Sequence, residues 1–235
     1  MKILNLYACL GGNRYKWDEV TDVEVTAVEW DEELARLYQE RFPNDKVIVA
    51  DAHQYLLDHY KEFDFIWSSP PCPTHSRFNV SMKTKREMDY PDMKLYQEII
   101  FLDNFFNGKY VVENVIPYYK PLIEAKERNR HLYWTNFNLP NIVSKRKNPD
   151  LSRTKNLISV LSEFHDYDFR QYKGEQRMNK IARNLVDYEA GKTILETAIG
   201  IIKKQNEQRE LILMASVVAS AILLVTLGFT FGLSV

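Results

Sequence analysis

Cysteine is scarce in this sequence, and its scarcity excludes several kinds of site. Only Cys9 and Cys72 occur among the 235 residues, and no CxxC pair exists. Two cysteines this far apart cannot build a disulfide scaffold or a zinc ribbon. We therefore expect a reducing, cytoplasmic setting for the main domain and no metal site.

A net excess of charge is also missing. The formal net charge is −1, and 27% of the residues are charged against 45% hydrophobic, the balance of an ordinary globular protein. Basic residues are nevertheless concentrated between residues 118 and 155, where nine Lys and Arg residues stand against three acidic ones. Such a stripe can track a phosphate backbone or form a solvated face, and the sequence alone leaves both open.

The two ends of the sequence differ in character. The first residues form a strand-like run without signal-peptide architecture, whereas residues 211–235 contain no charged side chain. As a helix that segment would span about 37 Å, enough for a hydrocarbon core of about 30 Å. Lys203, Lys204 and Arg209 precede it and would keep the main domain on the cytoplasmic side. We expect a membrane-inserted tail; a helix buried in an oligomer interface is the alternative.

Short β-rich apolar runs alternate with helical stretches over the first half of the chain. Strands are predicted at residues 2–8, 23–30, 46–51, 63–69 and 109–115. Helices are predicted at residues 31–42, 52–63 and 93–106, and helical periodicity returns around residues 180–202. This alternation predicts an α/β fold with a doubly wound, mostly parallel sheet.

Three consecutive predicted strand ends carry residues suited to a nucleoside-type cofactor. The first ends in a glycine turn, the second in an acid that can accept hydrogen bonds from ribose hydroxyls, and the third in an acid able to reach an adenine edge. Taken singly, Asp31 and Asp51 are more typical of helix N-caps. The candidate cofactor residues at these ends are Tyr7, Gly11, Gly12, Glu29, Trp30 and Asp51.

The fourth and fifth predicted strands end in residues suited to nucleophilic attack. Cys72 lies in the run PPCP, where proline fixes φ and holds the thiol on a preset loop. Glu113 lies in the run ENV at the end of the next strand. A nucleophilic cysteine with a neighbouring acid suits attack on an aromatic ring that must be protonated. Taken alone, however, the proline turn is more typical of a structural cysteine.

The order of these pieces resembles that of the cytosine-5 DNA methyltransferase family, and especially its compact phage and prophage members. The resemblance covers roughly residues 3–200. It is carried by the YACLGG turn, PPCP at Cys72, ENV at Glu113, R-x-R at Arg128 and Arg130, and RNLV at residues 183–186 followed by Ala190 and Gly191.

The resemblance implies a Rossmann-like fold and a specific chemistry. Cys72 would add to C6 of a flipped cytosine while Glu113 protonates or hydrogen-bonds N3, and C5 would receive the methyl group of S-adenosylmethionine. On an extended segment the alternate side chains of R-x-R would point the same way, so Arg128 and Arg130 would orient the base together. The cofactor pocket would also include Pro70, Asn184 and Val186, and the nucleic-acid contacts would be Ser76, Lys145, Arg146, Lys147, Arg153 and Lys155.

The resemblance also implies a division of the chain. Residues 1–137 would form the catalytic core, residues 138–180 a reduced target-recognition region, residues 181–204 the helix that completes the core, and residues 211–235 the tail.

Three features depart from the family's pattern. Cys9 stands where glycine is usual, and Lys126 stands where glutamine commonly opens the R-x-R motif. The segment between Arg130 and Arg183 is too short for a full target-recognition domain, which puts sequence specificity in doubt.

Two other functions remain open at this point. One branch of the family methylates transfer RNA, and its catalytic residues would be the same. A non-catalytic protein that tethers DNA at a membrane would instead keep the fold and leave Cys72 dispensable. The leading prediction is a DNA modification methylase, with or without a cognate restriction enzyme.

Overall fold

The computed structural model describes residues 1–82, 84, 87–147, 149 and 156–201. The chain divides into two compact units, residues 1–198 and 199–235. The second unit is described only at residues 199–201, so every element below belongs to the first.

Seven strands form one mixed sheet. Their bounds are β1 Lys2–Leu6, β2 Glu24–Glu29, β3 Lys46–Val49, β4 Phe65–Ser68, β5 Lys109–Val115, β6 Lys126–Arg128 and β7 His131–Thr135. The order across the sheet is β3-β2-β1-β4-β5-β7-β6. Strands β1 to β5 pair in parallel, whereas β7 pairs antiparallel with both β5 and β6. The predicted α/β architecture is confirmed, and the β6–β7 hairpin is an addition to it.

Helices connect and flank the strands. Their bounds are α1 Glu32–Arg41, α2 Ala52–His59, α3 Arg77–Ser81, α4 Lys94–Phe105, α5 Leu157–His165, α6 Met178–Asn184 and α7 Tyr188–Ala198. The Asp31 carboxylate caps α1 by accepting hydrogen bonds from the amides of Glu33 and Leu34, and Asp51 caps α2 through Gln54. The ends of β2 and β3 are therefore fixed by the caps of the helices that follow.

The predicted helical stretch at residues 180–202 is broken in the structure. It forms the end of α6 and then α7, because Leu185 has extended backbone angles and ends α6. The Asp187 carboxylate then accepts a hydrogen bond from the Glu189 amide at 3.1 Å, which starts the next helix.

Residues 157–181 pack on the core through α1. Leu161, Phe169 and Ile181 join Leu34 and Leu37 of α1 in one buried apolar cluster. The described part of the predicted target-recognition region is therefore packed against the catalytic core. Its role in target recognition stays a prediction.

Among the described residues, no helix is long and apolar enough to cross a membrane. The segment 211–235 lies outside the described residues. Its insertion in a membrane stays a prediction.

Candidate active site

A cavity of about 580 Å³ opens at the carboxyl ends of the parallel strands. Its volume lies in the range of small-molecule and cofactor sites. Ten of the residues singled out in the sequence line it: Tyr7, Gly12, Glu29, Trp30, Pro70, Cys72, Glu113, Arg130, Asn184 and Val186. The structure thus brings most of the predicted site into one space.

The turn after β1 has a left-handed backbone at several positions. Tyr7, Cys9 and Gly11 have φ angles of 55°, 48° and 65°. The Gly11 amide donates to the Ala8 carbonyl at 2.8 Å. A side chain on Gly11 would meet the Phe42 ring at 2.4 Å, so Gly11 serves the turn and does not line the cavity.

Glu29 holds this turn from the end of β2. One carboxylate oxygen accepts a hydrogen bond from the Cys9 amide at 2.8 Å, and the other accepts from the Asp31 amide at 3.0 Å. Burial raises the pKa of Glu29. A carboxylate can accept about four hydrogen bonds, so Glu29 keeps capacity for a ligand hydroxyl.

Asp51 is placed differently from the other cofactor candidates. Its carboxylate caps α2 and lies 3.5 Å from the ammonium of Lys94, and it does not line the cavity. Trp30, by contrast, lines the cavity with 66% of its surface exposed. The third strand end therefore contributes to α2 in this structure, and its contact with a cofactor stays a prediction.

The RNLV segment lines the cavity and touches the glycine turn. A side chain on Gly12 would lie 2.3 Å from the Val186 carbonyl, and one on Gly191 would lie 2.1 Å from the Asn13 carbonyl. Glycine is required at both positions because the two segments touch through their backbones. The segment 185–191 is thereby packed directly on the residues that follow β1.

The Cys72 loop is anchored at both ends. The Asn114 side chain, from the end of β5, donates to the Pro70 carbonyl at 2.9 Å. The Cys72 carbonyl accepts from the amides of His75 and Ser76, both at 3.0 Å. Asn114 belongs to the ENV run, so the strand that carries Glu113 also positions the loop that carries the thiol.

The Cys72 thiol is protonated at neutral pH in the free protein. Burial, and then the charge of Glu113, raise the pKa of Cys72 to about 11, while Lys180 acts weakly in the opposite direction. An uncharged aromatic substrate could therefore be attacked only if the thiol proton leaves during the reaction.

Glu113 has a partner that sequence reasoning missed. Its carboxylate is largely buried, and it lies 3.4 Å from Nε2 of His131. His131 begins β7 and also lines the cavity. Its position directly after the R-x-R run was the signal available in the sequence.

The two arginines of R-x-R point to different places. Arg128 donates to the carbonyls of Pro140 and Leu139, at 2.6 and 3.3 Å, and only Arg130 lines the cavity. The expectation that both side chains point the same way on an extended segment is wrong. Asn129 has a φ of 55° in the turn between β6 and β7, and this turn separates them.

Arg146 is also placed differently from the prediction. Its guanidinium pairs with Asp187 at 2.8 Å and lies over the rings of Phe164 and Tyr188, at 3.9 and 4.0 Å from their centroids. These contacts hold the guanidinium within the fold, and its contact with a phosphate stays a prediction.

Three of the other predicted nucleic-acid residues lie away from the main cavity, and two lie outside the described residues. Ser76 precedes α3 and does not line the cavity. Lys145 and Lys147 are exposed, and Arg153 and Lys155 lie outside the described residues. Their contact with nucleic acid stays a prediction.

A buried carboxylate behind the cavity was not anticipated. Glu98 of α4 is fully buried and accepts hydrogen bonds from the hydroxyls of Tyr7 and Ser68, both at 2.6 Å. Nδ1 of His53 lies 2.9 Å from the same side chain. Glu98 shares the apolar face of α4 with Leu95 at helical spacing, and a charge on that face was a signal available in the sequence.

The described residues contain no group of three or more His, Cys, Asp or Glu side chains able to hold a metal ion.

Residues 1–136, more than half of the chain, match the family model of C-5 cytosine-specific DNA methylases. No curated protein sequence matches the chain.

Several solved structures resemble it at low identity. A DNMT2 mutant from Spodoptera frugiperda is 21% identical, with a TM-score of 0.40, over 63% of this chain and 53% of that protein. TrmN from Thermus thermophilus is 14% identical, with a TM-score of 0.38, over 57% and 43%. The methyltransferase EhMeth from Entamoeba histolytica is 12% identical, with a TM-score of 0.34, over 49% and 38%. The chain spans roughly half or less of each of these proteins.

Proposed function

Because this chain belongs to the family of C-5 cytosine-specific DNA methylases, we propose that it methylates C5 of cytosine in DNA through a covalent adduct between Cys72 and C6. The observation that carries the proposal is the shared cavity. Cys72 and Glu113 line it from the ends of β4 and β5, and Gly12 and Glu29 line it from the first two strand ends.

S-adenosylmethionine is proposed to occupy the part of the cavity that Gly12 and Glu29 line. When bound, it supplies a sulfonium methyl group as the electrophile. Glu29 presents a carboxylate with spare acceptor capacity, as ribose hydroxyls require, and Gly12 lets the Val186 backbone approach the turn and close this part of the cavity. The residues proposed to hold the cofactor are Tyr7, Gly12, Glu29, Trp30, Pro70, Asn184 and Val186.

The base half of the cavity provides the nucleophile and the acid. The Cys72 thiol first gives its proton to water, and the thiolate Sγ then forms a bond to C6 as Glu113 gives its carboxyl proton to N3, so the ring stays neutral while it gains electron density at C5. Once C5 carries the methyl group, N3 returns its proton to Glu113 and water takes the proton from C5. The electron pair of the C5–H bond then forms the C5–C6 double bond as Cys72 leaves C6 as a thiolate.

The high pKa of Cys72 agrees with this order of events. A charged Glu113 opposes the thiolate, whereas a protonated Glu113 does not. The state that can protonate N3 is therefore also the state in which Cys72 ionises more readily.

The base must leave its stack to reach Cys72. C5 and C6 are covered inside a duplex, and flipping a nucleotide out costs a few kcal/mol. Arg130, which lines the cavity beside Glu113, is proposed to orient the flipped base.

Bisulfite sequencing of DNA and RNA from cells that express the full chain tests this function. We expect cytosines in DNA that resist conversion with the wild type and none with Cys72→Ala at equal protein abundance. Resistant cytosines in RNA alone would replace DNA by RNA as the substrate. No resistant cytosine in either nucleic acid would favour the non-catalytic alternative and refute the proposal.

A further inference from the structure

A second cavity adjoins the active site. It has a volume of about 50 Å³ and lies between the β6–β7 turn, α5 and the junction of α6 with α7. It shares Arg130, His131 and Arg183 with the main cavity. Since about 10–15 Å³ of such space holds one water molecule, this cavity accommodates about four water-sized oxygens.

Two guanidinium groups at this cavity have no partner among the described residues. Within the part of the chain that the structure describes, neither Arg130 nor Arg183 makes a hydrogen bond or an ion pair, and both are exposed. The acid in the lining, Asp187, is already neutralised by Arg146 at 2.8 Å and also accepts from the Ser144 hydroxyl at 2.5 Å. Among the described residues that line the space, the net charge is therefore positive.

A buried polar atom at the same cavity also lacks a partner. His165 lines it, is 4% exposed, and has no hydrogen-bond partner for Nδ1. Burial, and then Arg146 and Arg41, lower the pKa of His165 to about 3, so the ring is neutral. A neutral imidazole can donate one hydrogen bond, and buried polar groups left without partners usually mark a missing water, ion or ligand.

We propose that the second cavity is a phosphodiester subsite, in which Arg130 and Arg183 bind the backbone phosphate next to the cytosine held in the main cavity. The inference rests on the proposed function, since it assumes a cytosine nucleotide beside Cys72. Arginine suits this role because its planar fork matches two phosphate oxygens at once.

The subsite gives the short chain a way to hold its substrate. Arg146 is committed to Asp187, so the basic stretch offers fewer phosphate contacts than its composition suggests. A clamp on the flanking phosphate would fix the flipped nucleotide without reading sequence, since phosphate contacts position and base contacts specify.

Fluorescence anisotropy tests this subsite by measuring how tightly a short single-stranded oligonucleotide with one cytosine binds across a salt series. The full chain is compared with Arg183→Gln and with Arg177→Gln, an exposed arginine on the same segment that lines neither cavity. We expect Arg183→Gln to weaken binding about tenfold at low salt. The slope of log K against log salt should fall by about 0.7, the value for one contact with a single strand. Arg177→Gln should leave both values unchanged.

Replacing the two linkages that flank the cytosine, one at a time, by a neutral methylphosphonate identifies the phosphate that the subsite binds. At one of the two linkages it should weaken wild-type binding by the same factor as Arg183→Gln, and the two changes together should weaken it no further. The proposal would be overturned if Arg183→Gln weakened binding equally for the native and the methylphosphonate oligonucleotides. It would also be overturned if Arg177→Gln weakened binding as much as Arg183→Gln. The second cavity would then hold water only.

Deoxyribose and ribose versions of the oligonucleotide distinguish the two sources of the phosphate. We expect Arg183→Gln to weaken binding of whichever version binds more tightly to the wild type. If Arg183→Gln weakened binding of neither version, the proposal would also be overturned. The assay requires no methyl transfer. A chain that shows the Arg183 effect and yet methylates nothing would refute the proposed function and retain the subsite.

Discussion

Thiol–disulfide exchange at Cys72 is predicted to be slow at neutral pH and to accelerate through pH 11. Burial and Glu113 raise the pKa of this thiol from 9.0 to about 11. At pH 8 the thiolate fraction is then about one in a thousand, against about one in ten for an unperturbed cysteine, because only the thiolate reacts. The more basic thiolate is about eightfold more nucleophilic, which recovers part of that factor. The net expectation is a rate about tenfold below that of the unfolded chain in urea.

The assay is exchange with an aromatic disulfide, with the product at each cysteine quantified by peptide mass spectrometry. Separate quantification is needed because ionisation of the Cys9 thiol is also disfavoured. Burial and Glu29 raise its pKa to about 12. The rate at Cys72 should rise about tenfold per pH unit from pH 7 to pH 10, with no plateau in that range.

Glu113→Gln separates the effect of charge from the effect of burial. Glutamine has nearly the same size and removes the charge, so the rate at pH 8 should rise while the thiol stays buried. Glu127→Gln, which removes an exposed carboxylate from β6, is the matched control and should leave the rate unchanged. A plateau below pH 9.5, or an equal increase in the control, would refute the electrostatic account of this thiol.

Three further predictions concern packing and positioning. Arg14→Met should lower the free energy of unfolding by about 3 kcal/mol in urea titrations, because it leaves the buried Asp45 without the cation that it contacts at 2.9 Å. Gly191→Ala should lower the stability by about 1–3 kcal/mol in the same titrations, because the new Cβ would lie 2.1 Å from the Asn13 carbonyl. Asn114→Ala should reduce kcat about tenfold and leave cofactor affinity by calorimetry unchanged, because it frees the loop before the nucleophile and leaves the cofactor turn intact.

Much of the site was predictable because it depends on topology. An apolar strand followed by a helix is a local pattern, and in a parallel sheet all carboxyl ends meet at one edge. Cys72 follows β4, and Glu113 lies near the end of the adjacent parallel strand β5, so the two had to lie near each other once the alternation was recognised. The same reasoning placed Gly12 and Glu29 at that edge.

The remaining features depend on contacts between distant segments. Arg128 and Arg130 separate because a single left-handed residue turns the chain between them, and Asn129, a residue type that tolerates this conformation, was the signal available for that turn. Arg146 is held by Asp187 and Tyr188, which are about forty residues further along the chain. The charge of Arg146 suggested an exposed side chain. Whether the side chain is exposed depends on contacts with residues that are distant in the sequence, and composition does not show such contacts.

Covalent trapping tests the central claim, that Cys72 bonds to C6 of a cytosine, most directly. The full chain is incubated with S-adenosylmethionine and a duplex library in which 5-fluorocytosine replaces every cytosine, and the denatured products are analysed by mass spectrometry. We predict a protein–DNA adduct on the peptide that contains Cys72, and none with Cys72→Ser. No adduct with the wild type, or one that persists in Cys72→Ser, would contradict the account.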